Sequence, residues 1–399
     1  MGISERARGI APSATLAISA KARAMKADGI DVIGFGAGEP DFDTPEHIKQ
    51  AAVDALGAGF TKYPLPVAGI PELREAIGRK LQRDNALEYS PGDVSVAVGG
   101  KNALFALMQV LVNPGDEVVI PAPYWVSYPQ MAKLAGGTPV FVEAPEEAGF
   151  RLTPEQLDGT LTDRTALVVF NSPCNPTGAV YAPEHLGAMA EVLVKHGVHV
   201  VSDEIYEPLV YDGAEHRSIA SFGPEIKALT IVCNGLSKAY AMTGWRIGYL
   251  AGPSDVIAAV NKLQSHSTSG PTSFVQKAAA VALTADQSSV GEMREAFDAR
   301  RKSIIERLNG LPGISCATPQ GTFYAFPSIR EWVGRRLAGR QIDGSTDFAE
   351  VCLTEAHVAL VPGAAFGSDA HVRLSYATSM ANIREGMDRL EKLLGAGSP

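Results

Sequence analysis

The chain has 399 residues, 46% of them hydrophobic and 20% charged, a globular composition with apolar matter for a large core and a length that allows two or three domains. Its formal net charge of −9 argues against a nucleic acid or an anionic membrane as principal partner. No 18-residue apolar span exists, the first residues hold no apolar signal core, and the four cysteines are too scattered for a metal motif, so a cytoplasmic, metal-free protein is expected.

Residues 1–12 are polar and broken by Gly9 and Pro12, and they read as an arm. A helix over 13–28 ends at Gly29, and a short strand over 30–35 leads into a loop with Gly36 and Gly38. The G-x-G-x-x-G spacing of a dinucleotide site is absent, and Glu39-Pro40 bars a helix there. These glycines suit a close backbone approach to a small ligand. Helical patterns over 45–56 and 71–85 flank a proline-bounded loop that contains Tyr63. A strand over 94–98 runs into Gly99-Gly100-Lys101-Asn102 and a helix over 103–112, which is either a tight turn or an anion cradle of backbone N–H groups.

Short apolar runs then alternate with helix-length segments: 117–121, 139–143, 166–170, 198–202, 228–233 and 247–251, with a helix over 183–196. That rhythm predicts an α/β architecture with a mostly parallel sheet covered on both faces. Polar groups collect after the strands, at 121–125, 171–178 and 203–206, where a parallel sheet binds ligands. The last third changes rhythm: a charged helix over 288–309, strands near 323–326, 358–361 and 372–376, and a closing helix near 382–394. It reads as a second, smaller α/β domain. The expected division is an arm of 1–12, a small domain of 13–44 with 300–399, and a large domain of 45–299.

Lys238 follows the run 228–233 among small and aromatic residues, where lost solvation favours the neutral, nucleophilic amine. Arg246, eight positions on, offers a fork of donors that suits a phosphate. The pair suggests a Schiff-base lysine beside a phosphate clamp, the equipment of a pyridoxal phosphate (PLP) site; a solvated surface loop is the plainer alternative. Asp203, at a strand end, is the candidate acid for a pyridine nitrogen, with an N-cap or surface acid as its alternative. Tyr206 and Asn175 could reach the phenolic oxygen of such a ring, and Asn175-Pro176 is a candidate cis bond.

The segment Ser237-Lys238-Ala239-Tyr240-Ala241-Met242-Thr243-Gly244-Trp245-Arg246, with Asn175-Pro176-Thr177-Gly178, Asp203-Glu204-Ile205-Tyr206 and Arg373 in the same order, resembles class I PLP-dependent aminotransferases, and most closely the bacterial subgroup Ib acting on aspartate or prephenate. The resemblance covers nearly the whole chain. It implies PLP fold type I, with a mostly parallel seven-stranded sheet in the large domain. Lys238 then carries the cofactor and moves the proton, and Asp203 pairs with the pyridine nitrogen. Tyr206 and Asn175 bond the ring oxygen and Trp125 stacks on the ring. Gly100, Lys101, Asn102, Ser237 and Arg246 border the phosphate, and Tyr63 reaches it from a neighbouring subunit. For substrate, Arg373 takes the α-carboxylate near Gly38, Lys101 is the cation for a distal carboxylate, and Ser13 and Thr15 add hydroxyl donors beside Trp125 and Asn175.

Two positions depart from the pattern. Gly235 stands where many relatives have a serine, leaving Ser237 as the substitute, and Ala11 stands where some have a basic residue, which counts against prephenate. The expected function is ping-pong transamination between aspartate and 2-oxoglutarate by a homodimer with shared sites. The alternatives are prephenate, aromatic or alanine-type specificity, a PLP-dependent lyase or decarboxylase, and a PLP-binding regulatory domain. The last needs a DNA-binding module that a twelve-residue arm is too short to supply.

Overall fold

The computed structural model describes residues 2–12 and 14–396, and of residues 14–16 the backbone alone. Its centre is a seven-stranded sheet: β1 (Val94–Ala97), β2 (Glu117–Ala122), β3 (Thr138–Glu143), β4 (Thr165–Asn171), β5 (His199–Asp203), β6 (Thr230–Gly235) and β7 (Gly248–Ala251). The spatial order is β1-β7-β6-β5-β4-β2-β3, in which only β7 runs against its neighbours. The link from β6 to β7 has no crossover α-helix, and the two strands pair antiparallel. That link carries Lys238 and Arg246. The other strands are joined through helices such as Pro183–His196, and their central residues, among them Val118, Ile120, Val168, Val200 and Val232, are buried on both faces.

Element boundaries move where local chemistry competes with the apolar pattern. Strand β6 begins at Thr230 rather than 228, because Pro224 opens a short helix, Pro224–Leu229, that takes up the first residues of the run. The helix after β1 is Gly100–Leu111, so Gly100, Lys101 and Asn102 form its first turn instead of a loop before it. Its N-cap, Gly99, has φ +82, a backbone open to glycine and strained for other residues. The run 358–361 splits into two strands, Val358–Ala359 and Val361–Pro362, that pair in different sheets.

The first and last parts of the chain meet in space. Ile33–Gly34 pairs in parallel with Val358–Ala359. Val361–Pro362, Val372–Ser375 and Tyr324–Ala325 make an antiparallel sheet beside them. Phe35, Phe323, Trp332, Phe348, Leu374 and Met387 pack into one core there, separate from the cores that flank the large sheet. The helix Ser288–Asn309 joins two cores: Val290 belongs to the core that the helices Glu46–Gly57 and Pro71–Asn85 share, whereas Met293, Phe297 and Ile304 belong to the core around Phe323. In the arm, a single turn Glu5–Arg8, capped by Ser4, buries nothing.

Candidate active site

A cavity of about 770 Å³ opens beyond the carboxyl ends of β4, β5 and β6, where it is closed from the far side by the Gly36–Glu39 loop, Tyr324 and Arg373. Asp203 is the last residue of β5, and the turn after it brings Tyr206 to the same wall. Tyr128 donates to Asp203 Oδ2 at 2.6 Å, and Asn171, at the end of β4, donates to the Asp203 carbonyl at 2.8 Å. Burial raises the Asp203 carboxyl to about 6, although the bonds from Tyr128 and the Ile205 N–H pull the other way. A buried acid of this kind awaits a cationic partner.

Lys238 reaches the cavity from the β6–β7 link, where its ammonium donates to the Gly38 carbonyl and lies 5.9 Å from the rings of Tyr206 and Phe323. Burial lowers its pKa to about 8, helped by the positive charges of Arg373, Arg246 and Lys101 and opposed by Glu39. A substantial neutral fraction near physiological pH makes it a usable nucleophile.

The phosphate-sized end is built on glycines. A Cβ at Gly99 would lie 2.6 Å from Arg246 Nη2, and one at Gly248 would lie 2.5 Å from the Gly100 nitrogen. Backbone, guanidinium and helix start therefore converge only because side chains are missing. The same crowding accounts for Gly235: a Cβ there would stand 3.0 Å from both Gly248 Cα and the Ile247 carbonyl. A side chain there would be tight, and Ser237 lines the cavity. Arg246 donates to the Thr243 carbonyl at 2.8 Å and pairs with no carboxylate among the described residues. Lys101 places its ammonium 4.9 Å from the Trp125 ring centroid; its pKa is lowered first by burial and then by repulsion from Arg246.

Arg373, only 3% exposed, lies over the rings of Tyr324 and Phe366 at 4.4 and 4.9 Å. It donates from Nη1 to Asn175 Oδ1 at 2.9 Å and from Nη2 to the Gly36 carbonyl at 3.1 Å, and its Nε has no partner among the described residues. No described carboxylate pairs with it, so burial lowers its pKa rather than a counter-ion raising it. A buried, uncompensated guanidinium is a site for an incoming carboxylate.

Gly38, Gly100, Lys101, Trp125, Asn175 and Asp203 thus line one cavity with Tyr206, Ser237, Lys238, Arg246 and Arg373. Asn102 does not line it: its side-chain oxygen accepts from the Val98 N–H at 3.3 Å, which ties down the start of the helix. Tyr63 is 83% exposed and lies away from the cavity of its own chain. Ser13 lies outside the described residues, as does the side chain of Thr15. The bond Asn175-Pro176 is cis.

The cavity also holds residues that the sequence reading missed. Tyr128 is three positions past Trp125, one helical turn on from a loop already singled out. Tyr324 bonds the Tyr206 hydroxyl at 2.8 Å from a strand that was expected, with no signal to mark it as functional. The helix Ala14–Ala27 presents Ile18, Ser19, Ala22, Arg23 and Lys26, one face at helical spacing, which brings two further cations to the cavity.

The donor set suits a phosphorylated aromatic aldehyde: a depressed lysine for the aldehyde, an acid opposite a ring nitrogen, and a glycine-lined helix start with an arginine for the phosphate. Comparison with known proteins agrees. Residues 30–390 match the family model described as aminotransferase class I and II. The chain is 52% identical over 397 residues to the aspartate aminotransferase of Geobacillus stearothermophilus, covering 99% of this chain and 100% of that one. It is 50% identical over 384 residues to the aspartate/prephenate aminotransferase of Cereibacter sphaeroides, with 96% of each covered. Among solved structures, the aspartate aminotransferase of Rhizobium meliloti superposes with a TM-score of 0.96 at 44% identity over 100% of both chains. The Thermus thermophilus aspartate aminotransferase with maleate gives 0.93 at 46% identity, covering 99% of this chain and 100% of that one. With the expected fold type I architecture borne out, the chain belongs to the class I and II aminotransferase family.

Proposed function

We propose that this chain is a PLP-dependent aspartate aminotransferase that passes an amino group between aspartate and 2-oxoglutarate. The observation that carries the reading is one cavity shared by Lys238, brought down to about 8 by burial, Asp203, and the uncompensated guanidinium of Arg373. When bound, PLP supplies the electron sink that makes the substrate Cα–H bond breakable.

The chain's own residues do the rest. Lys238 holds the cofactor and then takes and returns the proton at substrate Cα, work for which its lowered pKa suits it. Asp203, steadied by Tyr128, keeps a proton on the pyridine nitrogen. Tyr206 and Asn175 are donors to the ring oxygen, and Trp125 covers the ring face. The Gly100 N–H, Ser237 and Arg246 bind phosphate. Arg373 orients the substrate through its α-carboxylate, and Lys101 meets the distal carboxylate. The reading is supported by relatives called aspartate aminotransferases at about half identity over the full length.

A second reading extends to prephenate or another bulky dicarboxylate. What favours it is that Arg23 and Lys26 line the same cavity as Lys101. We further read the protein as a cytoplasmic homodimer with shared sites. Exposed Tyr63, Leu65, Val53 and Leu56 support an apolar contact between copies, and four buried, unpaired cysteines suit a reducing compartment. No described helix is long and apolar enough to cross a membrane. The pairing of Ile33–Gly34 with Val358–Ala359 supports grouping 13–44 with 300–399 as the small domain, against a large domain of 45–299 and an arm of 1–12.

The test is a panel of amino donors with 2-oxoglutarate, following oxo-acid formation, with prephenate as an alternative acceptor. Aspartate should lead the panel, and Lys238→Ala should lose both turnover and the visible absorbance of bound cofactor. Aspartate turned over no faster than alanine or aromatic donors would refute the substrate assignment. Wild-type turnover by Lys238→Ala would refute the assignment of the lysine.

A further inference from the structure

The turn after β5 has two sides. Asp203 and Tyr206 line the cavity, while Glu204 and Glu207 point away from it into the protein. Glu204, 1% exposed, accepts from Ser202 Oγ at 2.7 Å, and its other oxygen lies 3.3 Å from His216 Nε2. The same nitrogen is 3.8 Å from Glu207 Oε2. Glu207 also accepts from Asn85 Nδ2 at 2.8 Å and pairs with Lys80, whose ammonium donates to Asn85 Oδ1 at 2.7 Å. Three stretches of chain meet here: the end of the helix Pro71–Asn85, the turn itself, and the loop that holds His216.

Two carboxylates three residues apart on one turn repel each other, and burial without compensation would drive them out. Burial alone would raise the Glu207 carboxyl, but the charges of Lys80 and His216, with the bonds from Lys80 and Asn85, bring it below its ordinary value. The ligand-type atoms of Glu204, Glu207 and His216 lie within 4.8 Å of one another. Because Lys80 already supplies a cation on Glu207, the group is an ion-pair network rather than a metal centre. A second cavity, of about 370 Å³, lies beside it and is lined by Lys80, Glu207 and Asn234. The turn therefore has room to recoil if the network is cut.

We propose that Glu204, Glu207 and His216, backed by Lys80, form a positioning cluster that sets where Asp203 and Tyr206 stand in the cavity, with His216 as the bridge between the two carboxylates. The inference rests on the reading of Asp203 and Tyr206 as cofactor-binding residues. Each side chain of the network has at least one partner in it, and such buried contacts rigidify the turn they hold; His216 binds through Nε2, while its Nδ1 has no partner among the described residues.

The experiment measures PLP affinity of the apoprotein by fluorescence titration, together with kcat, for His216→Ala, His216→Gln, Asp203→Asn and the double variant Asp203→Asn/His216→Ala. His216→Ala should weaken PLP binding and lower kcat by about tenfold to a hundredfold, as loss of positioning at a distance does. His216→Gln, whose amide can still donate to Glu204, should recover most of both. In the double variant the His216 change should cost clearly less than it costs alone, because the part that acts through Asp203 is already lost and only the part through Tyr206 remains. Losses that multiply in full in the double variant, or a His216→Ala protein within about twofold of wild type in both measurements, would overturn the proposal. Where His216→Ala does not fold, the isosteric Glu204→Gln takes its place in the same cycle. Failure of wild type to bind PLP, or unchanged binding by Asp203→Asn, would instead overturn the functional reading beneath it.

Discussion

Replacing Arg373 by leucine tests the part of the site that the structure makes most specific. The guanidinium is buried over two aromatic rings, two of its donors are committed to Asn175 and Gly36, and its Nε is left over. A substrate α-carboxylate entering there gains charge-assisted bonds and relieves an uncompensated buried cation. Truncating such a pair costs about 2–5 kcal/mol. At 1.4 kcal/mol per tenfold, kcat/KM should fall by roughly 30-fold to 4000-fold. Arg373→Lys keeps the charge without the fork and should fall in between. Steady-state kinetics with aspartate and with alanine decide the matter. Both carry the α-carboxylate, so both should lose equally, while PLP affinity changes little. A loss confined to aspartate would mean that Arg373 reads the distal carboxylate, and a loss under about threefold would mean that it reads neither.

Three further outcomes follow from the same geometry. Lys101→Leu should cost aspartate about 2–5 kcal/mol in kcat/KM and alanine little; equal losses would assign Lys101 to the phosphate, and a small loss would pass the distal carboxylate to Arg23 or Lys26. Tyr128→Phe removes the 2.6 Å bond to Asp203 and should cost about 1.5–3 kcal/mol of turnover, the worth of a hydrogen bond to a charged group. It also has a pH signature in the apoprotein. The Asp203 carboxyl titrates at about 6 against 3.8 for an unperturbed aspartate, so between those values the folded chain binds the extra proton and stability falls as pH rises. Losing the Tyr128 bond raises the folded value further and extends that fall upward, which thermal melts at pH 5 and pH 8 would register as a wider gap than in wild type. Finally, mixing Tyr63→Ala and Lys238→Ala proteins should restore activity through hybrid dimers with one intact site. No recovery after proven subunit exchange would count against a shared site.

Local chemistry made much of this protein legible without coordinates. Alternating apolar runs and helix-length segments announced a parallel α/β sheet, because strands buried on both faces must be apolar throughout and crossover helices must separate them. Lys238, Asp203 and Asn175 were legible for a related reason: each sits at or soon after the end of a strand, where the chain leaves the core and polar groups can find partners, while Arg246 was legible from its place between Lys238 and the next apolar run. Gly235 was legible only as a departure from a pattern. In the structure β6 and β7 pair closely there, so a side chain would sit tight against Gly248 and Ile247. Asn102, read from the sequence as part of the cradle, has its side chain turned to the Val98 N–H in the structure, because the helix begins at Gly100.

What the sequence by itself could not express was distance between remote residues. Tyr128 on Asp203, Tyr324 on Tyr206, and Arg373 between Asn175 and Gly36 join residues 75, 118, 198 and 337 positions apart. The network of Lys80, Glu204, Glu207 and His216 is likewise a product of packing, for in the sequence these are ordinary charged residues on a helix and two loops. Residue type and local period follow from neighbours along the chain, and those determine where strands end and which loops are polar. Which buried charges meet, and which of them is left without a partner, depends on how the sheet, the turn after β5 and the strand that carries Arg373 are brought together, and only the folded chain decides that.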